Sequence, residues 1–307
     1  MSLYRNTVWF LNGIHQYTYE AASEKFDTQD LDVSVVGRSF MITGANSGIG
    51  RATAMAIAKK GTVHMVCRNK DKAEQAREDI IHESGNTVYI HVLDMAETRK
   101  VWEFAEAFKQ QHPSLNELIN NAGCMVHKRE LNAEGLEKNF ATNTMVYILT
   151  QSLIPLLQKS RDPRVITVSS GGMLVQKLRA DDLQSEKGHF DGVMVYAQNK
   201  RQQVVLTQQW AIANPVIHFS VMHPGWVDTP VSTSMPQFHR MMGERLRSVE
   251  QGADTVVWLA LSRAAARTRS GQFFQRRPVP AHLPLAWTHS SAEDIQSFRT
   301  QLETLAT

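Results

Sequence analysis

An apolar segment that runs into a glycine-bearing turn and then a helical pattern constrains this chain more than any other feature. Residues 40–43 are apolar or β-branched, Gly44, Gly48 and Gly50 follow, and an alanine-rich helical pattern covers residues 51–60. Glycines let a backbone approach a ligand closely, and the first N–H groups of a helix favour a phosphate. The spacing departs from the G-x-G-x-x-G fingerprint, so a pyrophosphate-binding turn and an ordinary strand-to-helix connection both remain open.

Short apolar segments alternate with helical patterns along most of the chain. Segments typical of buried strands cover residues 62–68, 87–94, 117–123 and 164–172, and one apolar helical pattern covers residues 136–158. This alternation predicts an α/β fold with a doubly wound parallel sheet, in which ligands bind at the carboxyl edge of the strands.

The length of 307 residues, 42% of them hydrophobic, is sufficient for one large domain with appendages. We expect the domain over residues 38–275, an N-terminal extension over residues 1–37 and a C-terminal tail over residues 276–307. Prolines predict irregular chain at the start of the tail, before a short helix from Ala292.

The N-terminal extension has an apolar stripe at helical spacing, although its longest apolar run is too short for a membrane span. The stripe consists of Phe10, Ile14, Tyr17 and Ala21. An amphipathic helix of this kind fits either docking on the domain or contact with a membrane surface.

Arg68 ends the second predicted strand, where an acidic residue would bind the ribose 2′-hydroxyl of NAD. A guanidinium there favours a 2′-phosphate, which predicts NADP(H) over NAD(H), although an exposed arginine without a ligand is the alternative. Asp94 ends the third predicted strand and is placed to meet an adenine ring edge.

Tyr196 and Lys200 are four residues apart, which places them on one face of a helix. A phenol with a pKa near 10 is a poor acid or base at neutral pH unless a nearby ammonium stabilises the phenolate. Such a pair of residues is either a catalytic pair or an ordinary pair on the surface of a helix. Ser169 and Ser170 end a β-branched strand, and alternation puts them on opposite faces.

These motifs resemble the short-chain dehydrogenase/reductase family over about residues 38–275. The residues that match, in order, are Gly44, Gly48, Gly50, Asn120, Asn121, Ala122, Gly123, Asn143, Ser170, Tyr196, Lys200, Pro224 and Gly225. The resemblance implies a Rossmann-type fold and an oxidoreductase that interconverts a carbonyl and an alcohol.

By the same resemblance, Tyr196 is the general acid or base, and Ser170 orients the substrate oxygen. Lys200 is expected to hold the nicotinamide ribose and to lower the pKa of Tyr196, and Asn143 to position a relay water. NADP(H) is the expected cofactor, and NAD(H) remains open. The expected cofactor contacts are Gly44, Asn46, Ser47, Gly48, Ile49, Gly50, Arg68, Asp94, Asn121, Ala122, Gly123, Tyr196, Lys200, Pro224, Gly225, Val227 and Thr229.

Two segments are expected to border the substrate, residues 173–194 as a loop and residues 231–243 as a methionine-bearing flap. Methionine adapts to irregular apolar shapes, which favours a lipophilic carbonyl or alcohol as substrate, although these methionines could simply pack a surface helix. A cofactor-binding regulatory or scaffold protein with little turnover is the alternative function.

Composition excludes several other classes of protein. A formal charge of +3 with scattered basic residues does not indicate nucleic-acid binding. Cys67 and Cys124 are the only cysteines, so no disulfide framework, no metal motif and a reducing compartment are expected. We therefore expect a cytoplasmic protein, with a peripheral membrane contact through the extension as an alternative. Family members often pair through the helix with the tyrosine, which makes a homo-oligomer an expectation.

Overall fold

The computed structural model of the protein describes residues 19, 23–24, 26–275, 277–279, 281 and 286–306. In this part of the chain, eight strands form one sheet in the order β3-β2-β1-β4-β5-β6-β7-β8. The strands are β1 (Ser39–Thr43), β2 (Thr62–Cys67), β3 (Val88–Val92), β4 (Glu117–Asn120), β5 (Arg164–Val168), β6 (His218–Met222), β7 (Gln272–Gln275) and β8 (Arg277–Val279).

Helices connect the strands and cover both faces of the sheet. The α-helices are α1 (Gly48–Ala58), α2 (Lys70–Ser84), α3 (Thr98–Gln111), α4 (Lys138–Asn143), α5 (Val146–Leu157), α6 (Gly192–Ala213), α7 (Pro230–Thr233), α8 (Pro236–Met242), α9 (Val249–Leu261), α10 (Arg263–Ala266) and α11 (Ala292–Leu305). Short 3-10 helices cover Thr28–Leu31, Gly171–Val175, Gly243–Arg245 and Ala286–Thr288.

The sheet is parallel from β3 to β7, and β8 adds to its edge in the antiparallel direction. Side chains alternate between its faces. Met41 and Leu118 belong to the core formed with α3, α5 and α6, whereas Phe40 and Ile42 belong to the core formed with α1, α2 and α9. The prediction of a doubly wound α/β sheet is confirmed. Because β2 and β4 flank β1, the strand order reverses at β1, which is where such sheets form a ligand crevice.

The single helix predicted over residues 136–158 is wrong, because the chain forms α4 and α5 with a turn between them. At the turn, the Tyr147 amide donates to the Thr144 carbonyl at 3.2 Å. The Asn143 carbonyl instead accepts a hydrogen bond from the Gln203 side chain at 2.5 Å. A tertiary contact therefore interrupts a pattern that is helical in sequence.

The α4–α5 region is also apolar. Among the described residues, Lys138–Leu157 is the one stretch long and apolar enough to cross a membrane, and 67% of its apolar window is buried inside the fold. Burial of this kind is also typical of core helices.

The described part of the N-terminal extension docks on the domain. The Trp258 indole donates to the Asp30 carboxylate at 2.7 Å, and the Lys60 ammonium donates to the Leu31 carbonyl at 2.6 Å. Val35 is buried in the core that contains α9. The predicted amphipathic stripe formed by Phe10, Ile14, Tyr17 and Ala21 lies outside the described residues.

The expectation of irregular chain at the start of the C-terminal tail is wrong for residues 277–279, which form β8. Pro278 is tolerated there because β8 is an edge strand. The helix expected from Ala292 is α11, and its Phe298 and Leu302 side chains are fully buried in the core beside α5. The described part of the tail thus completes the sheet and the core.

Candidate active site

A cavity of about 580 Å³ opens at the carboxyl edge of the sheet, around the end of β1. Its wall includes every residue that the sequence predicted as a cofactor contact, together with Ser170. Asn143 lies behind this wall. The structure therefore brings together residues from seven separate segments of the chain, in one cavity large enough for a small organic molecule.

The glycine turn after β1 forms one end of the cavity. Gly44 and Gly48 have φ values of +67° and +52°, which residues with a side chain rarely adopt. A Cβ atom on Gly50 would lie 2.3 Å from the Gly44 carbonyl oxygen, so this approach requires glycine. Ser47, which precedes α1, makes no side-chain hydrogen bond to the start of that helix. The first amides of α1 are thus suited to an anion such as a pyrophosphate.

Asn121 ties the end of β4 to the glycine turn after β1. Its Nδ2 atom donates to the carbonyl oxygens of Thr43 at 2.9 Å and Gly44 at 3.3 Å. The Thr43 hydroxyl accepts from the backbone amides of Asn121 and Ala122. Because Ala122 and Gly123 are small, the wall beyond this point leaves room for a flat group.

Arg68 is exposed and follows directly after β2. Lys72, in the first turn of α2, lines the same end of the cavity and was not predicted from the sequence. Asp94 also lines the cavity and accepts a hydrogen bond from the Ala96 amide at 3.0 Å. Two cations beside the cavity favour a phosphate group there.

Lys200 and Tyr196 lie in α6 and face the other end of the cavity. The Lys200 ammonium donates to the Val168 carbonyl at 2.8 Å and to Gln203 Oε1 at 3.1 Å, and lies 5.4 Å from the centre of the Tyr196 ring. Burial lowers the pKa of Lys200 to about 7.

Burial also raises the pKa of Tyr196 above its ordinary value. Lys200, whose ammonium is bonded to Val168 and Gln203, does not outweigh this effect of burial, and its lowering of the Tyr196 pKa stays a prediction. A phenol with a raised pKa carries its proton at neutral pH.

The two serines after β5 have different environments, as strand alternation predicts. Ser170 is half-buried at the cavity wall, and its Oγ accepts a hydrogen bond from the Gly172 amide at 3.4 Å. Ser169 is buried, and its hydroxyl donates to the Lys200 carbonyl at 2.9 Å. Ser170 is thus placed to contact a bound molecule, and Ser169 holds α6.

Asn143 is fully buried and makes a two-way contact with the backbone of Cys124. Its Nδ2 donates to the Cys124 carbonyl at 2.8 Å, and its Oδ1 accepts from the Cys124 amide at 3.1 Å. Gly123 packs closely against it, because a Cβ there would lie 3.0 Å from Asn143 Oδ1. Asn143 therefore shapes the cavity wall from behind.

A short chain dehydrogenase family model matches residues 38–239 of the chain. The chain belongs to the short-chain dehydrogenase family. It is 62% identical to dehydrogenase/reductase SDR family member 12 from Bos taurus, over 100% of this chain and 99% of that protein. It is 60% identical to the Homo sapiens protein of the same name, with the same coverage.

More distant family members give the same assignment. Retinol dehydrogenase 12 from Bos taurus is 30% identical over 88% of each chain. A short-chain-dehydrogenase-like protein from Escherichia coli CFT073, solved in complex with NADPH, has the same fold, with a TM-score of 0.65 and 23% identity over 82% of this chain and 100% of its own. The chain is thus a short-chain oxidoreductase related to retinol dehydrogenases, in a family that uses NAD(P).

Two residues that hydrogen-bond to members of the candidate site, Gln203 and Arg247, are not part of the family motifs found in the sequence. Gln203 bonds both Lys200 and the Asn143 carbonyl. Arg247, beyond the matched residues, donates to the Pro224 carbonyl at 2.9 Å. The only signal for Gln203 in the sequence is its position three residues after Lys200 on the same helix face. No sequence signal relates Arg247 to Pro224.

Proposed function

We propose that this protein is an NADP(H)-dependent oxidoreductase that interconverts a carbonyl and an alcohol on a lipophilic small molecule. The observation that supports this most is that Tyr196, Lys200 and Ser170 line the same cavity as the glycine turn after β1. A group that can exchange a proton thus faces the space in which a dinucleotide fits.

The residues present fit a dinucleotide of this kind. The backbone at Gly44, Gly48 and Gly50 and the first amides of α1 would hold the pyrophosphate. Arg68 and Lys72 would pair with a 2′-phosphate, and the small side chains after β4 leave room for the nicotinamide end. NADP(H), when bound, supplies or accepts the hydride.

The protein's part in the reaction is proton transfer and orientation. In reduction, the Tyr196 hydroxyl would donate its proton to the carbonyl oxygen, and the raised pKa keeps that proton in place beforehand. The Ser170 hydroxyl would donate a hydrogen bond to the same oxygen. The charge of Lys200, close to the ring, would stabilise the phenolate that remains. General acid catalysis of this kind is worth about 10²–10⁴-fold.

Two findings support NADP(H). Arg68 and Lys72 place two cations where NAD would need none. Structural neighbours from Escherichia coli CFT073 and Shigella flexneri 2a were solved with NADPH and NADP respectively.

The lipophilic substrate is supported by the apolar side of the cavity, where Met125, Val193, Trp226 and Met235 contribute to the wall. The names of the retinol dehydrogenase relatives point to the same substrate class.

The test of this proposal is cofactor consumption by purified protein. NADPH oxidation would be followed with a panel of lipophilic aldehydes and ketones, and NADP⁺ reduction with the corresponding alcohols, with NADH and NAD⁺ in parallel. Turnover with NADPH and an apolar carbonyl supports the proposal. Binding of NADPH without turnover on any member of the panel would favour a regulatory protein instead.

A further inference from the structure

Gln203 is fully buried in α6 and lies between Lys200 and Asn143. Its Oε1 atom accepts a hydrogen bond from the Lys200 ammonium at 3.1 Å, and its Nε2 atom donates to the Asn143 carbonyl at 2.5 Å. The orientation of the amide is fixed by chemistry, because a carbonyl can only accept and an ammonium can only donate. Gln203 therefore binds Lys200 in one defined way.

The hydrogen-bond capacity of Lys200 is largely used by the protein. An ammonium has three N–H donors, of which one goes to the Val168 carbonyl at 2.8 Å and one to Gln203. The third remains for the cavity, whose wall includes Lys200. A neutral amine has only two N–H groups, and the same two acceptors would occupy both.

We infer that Gln203 is a positioning residue that fixes Lys200 so that only its protonated form presents an N–H group to a dinucleotide in the cavity. This inference rests on the proposed function. It assigns to Gln203 the control of how cofactor binding depends on pH, although Gln203 does not line the cavity itself.

The surroundings of Lys200 place this pH dependence of cofactor binding in a pH range that can be measured. The titratable side chains that face it are Tyr196, in the same helix, and Cys124, after β4. Burial lowers the pKa of Lys200 to about 7, and Cys124 opposes this effect weakly. Cofactor affinity is therefore expected to fall as pH rises through the pKa of Lys200, because the third N–H is lost.

The midpoint is the pH at which half of this loss of NADPH affinity has occurred. Two substitutions of Gln203 move it in opposite directions. Gln203→Leu removes an acceptor that favours the ammonium, so the pKa of Lys200 falls and the midpoint moves to lower pH. It also leaves the neutral amine one N–H group for the cavity, so less affinity is lost above that midpoint. Gln203→Glu is nearly isosteric and places a carboxylate beside the ammonium, which raises the midpoint by about 1–3 pH units.

Gln202→Leu is the matched control. Gln202 is also buried in α6, but its Oε1 atom accepts from the Thr144 hydroxyl at 2.6 Å and from Asn199 Nδ2 at 3.3 Å, and not from Lys200. This variant loses two buried hydrogen bonds, so it is expected to lower the melting temperature without moving the midpoint.

The experiment is a fluorescence titration of NADPH, without substrate, for the wild-type protein and these three variants between about pH 5 and pH 10. The 2′-phosphate titrates in all four proteins, so differences between them report on Lys200. The inference predicts a lower midpoint for Gln203→Leu, a higher one for Gln203→Glu and an unchanged one for Gln202→Leu.

Equal midpoints in all four proteins would overturn the inference, as would a loss of affinity in the Gln203 variants that is the same at every pH. Wild-type protein that binds no NADPH at any pH would instead overturn the proposed function, and this inference with it.

Discussion

The guanidinium of Arg247 lies directly behind Gly225, and its Nη1 atom donates to the Pro224 carbonyl at 2.9 Å. A Cβ atom on Gly225 would lie 2.5 Å from the guanidinium carbon. Gly225 also has a φ of +85°. The turn that faces the proposed cofactor is thus held from behind by a residue of a different segment.

Gly225→Ala is predicted to weaken NADPH binding by about tenfold. The added Cβ displaces the Arg247 guanidinium from the Pro224 carbonyl, and the turn loses a charge-assisted hydrogen bond worth about 1.5–3 kcal/mol. The control is Gly188→Ala, since Gly188 has a φ of +80° and nothing within 4 Å of an added Cβ. Both variants should lose about 1–2 kcal/mol of stability from backbone strain. Equal NADPH affinities in the two variants would contradict the importance of the Arg247 contact.

Arg68→Ala is predicted to raise the KM for NADPH by about 10- to 100-fold, because charge-assisted hydrogen bonds to a phosphate are worth about 1.5–3 kcal/mol. The KM for NADH should change little, since NADH has no 2′-phosphate. Lys70→Ala removes a neighbouring exposed cation that does not line the cavity. If both substitutions raise the KM for NADPH equally, the effect reflects the general positive charge of this surface, and Arg68 does not recognise the phosphate.

Arg201 ties α6 to the C-terminal segment, because it donates to the Ala281 carbonyl and, at 2.9 Å, to the Thr288 carbonyl. Its side chain is buried. Arg201→Met is predicted to lower stability by about 1.5–3 kcal/mol, the usual range for hydrogen bonds from a charged group, and to expose residues 286–291 to limited proteolysis.

Arg299→Met is the control for this prediction. Its ion pair with Glu303 is exposed and 3.9 Å long, so its loss should cost no more than about 0.5 kcal/mol. A melting temperature for Arg201→Met equal to that of Arg299→Met would show that the tail does not depend on Arg201.

A cluster of histidines between β2, β3 and α3 predicts loss of stability in acid. His64 Nδ1 lies 3.1 Å from His91 Nε2, and His112 stacks on Phe108 at 4.0 Å. Burial, with the neighbouring histidines, lowers the pKa of His64 to about 3 and that of His91 to about 4.

In the unfolded chain these histidines take up protons near pH 6.5, whereas in the folded protein they remain neutral. Stability is therefore fully present above about pH 6.5 and falls as pH drops towards 4, by about 1.4 kcal/mol per pH unit for each histidine. Urea unfolding at a series of pH values measures this slope. His91→Phe should reduce it by about one proton, and His82→Gln, at an exposed site on α2, should leave it unchanged. A wild-type stability that does not vary between about pH 7 and 5 would contradict this account.

The sequence predicted those parts of the fold that depend on local pattern. The strand, glycine turn and helix around Gly44 are fixed by residues next to each other, and so is the face shared by Tyr196 and Lys200. For that reason the α/β class and the first strands of the sheet could be predicted from local pattern, whereas the residues expected to contact the cofactor were named from the family resemblance.

The features that the sequence missed depend on contacts between distant segments. The apolar period continues through Thr144, but at this turn the Asn143 carbonyl and the Thr144 hydroxyl bond to Gln203 and Gln202 of α6, which are distant in sequence. Local chemistry predicted a lowered pKa for Tyr196, but burial in the folded core has the opposite effect. Pro278 indicates irregular chain in isolation and forms a strand only because β7 offers a free edge.

The most direct test of the account compares wild-type protein with Tyr196→Phe. Both would be titrated with NADPH and then assayed for NADPH oxidation on the best lipophilic carbonyl of the panel. The account predicts equal NADPH affinity and a loss of kcat of at least about 10²-fold in the variant, because the proton donor is gone and the ring remains. Turnover that is unchanged in Tyr196→Phe would contradict the assignment of Tyr196 as the general acid.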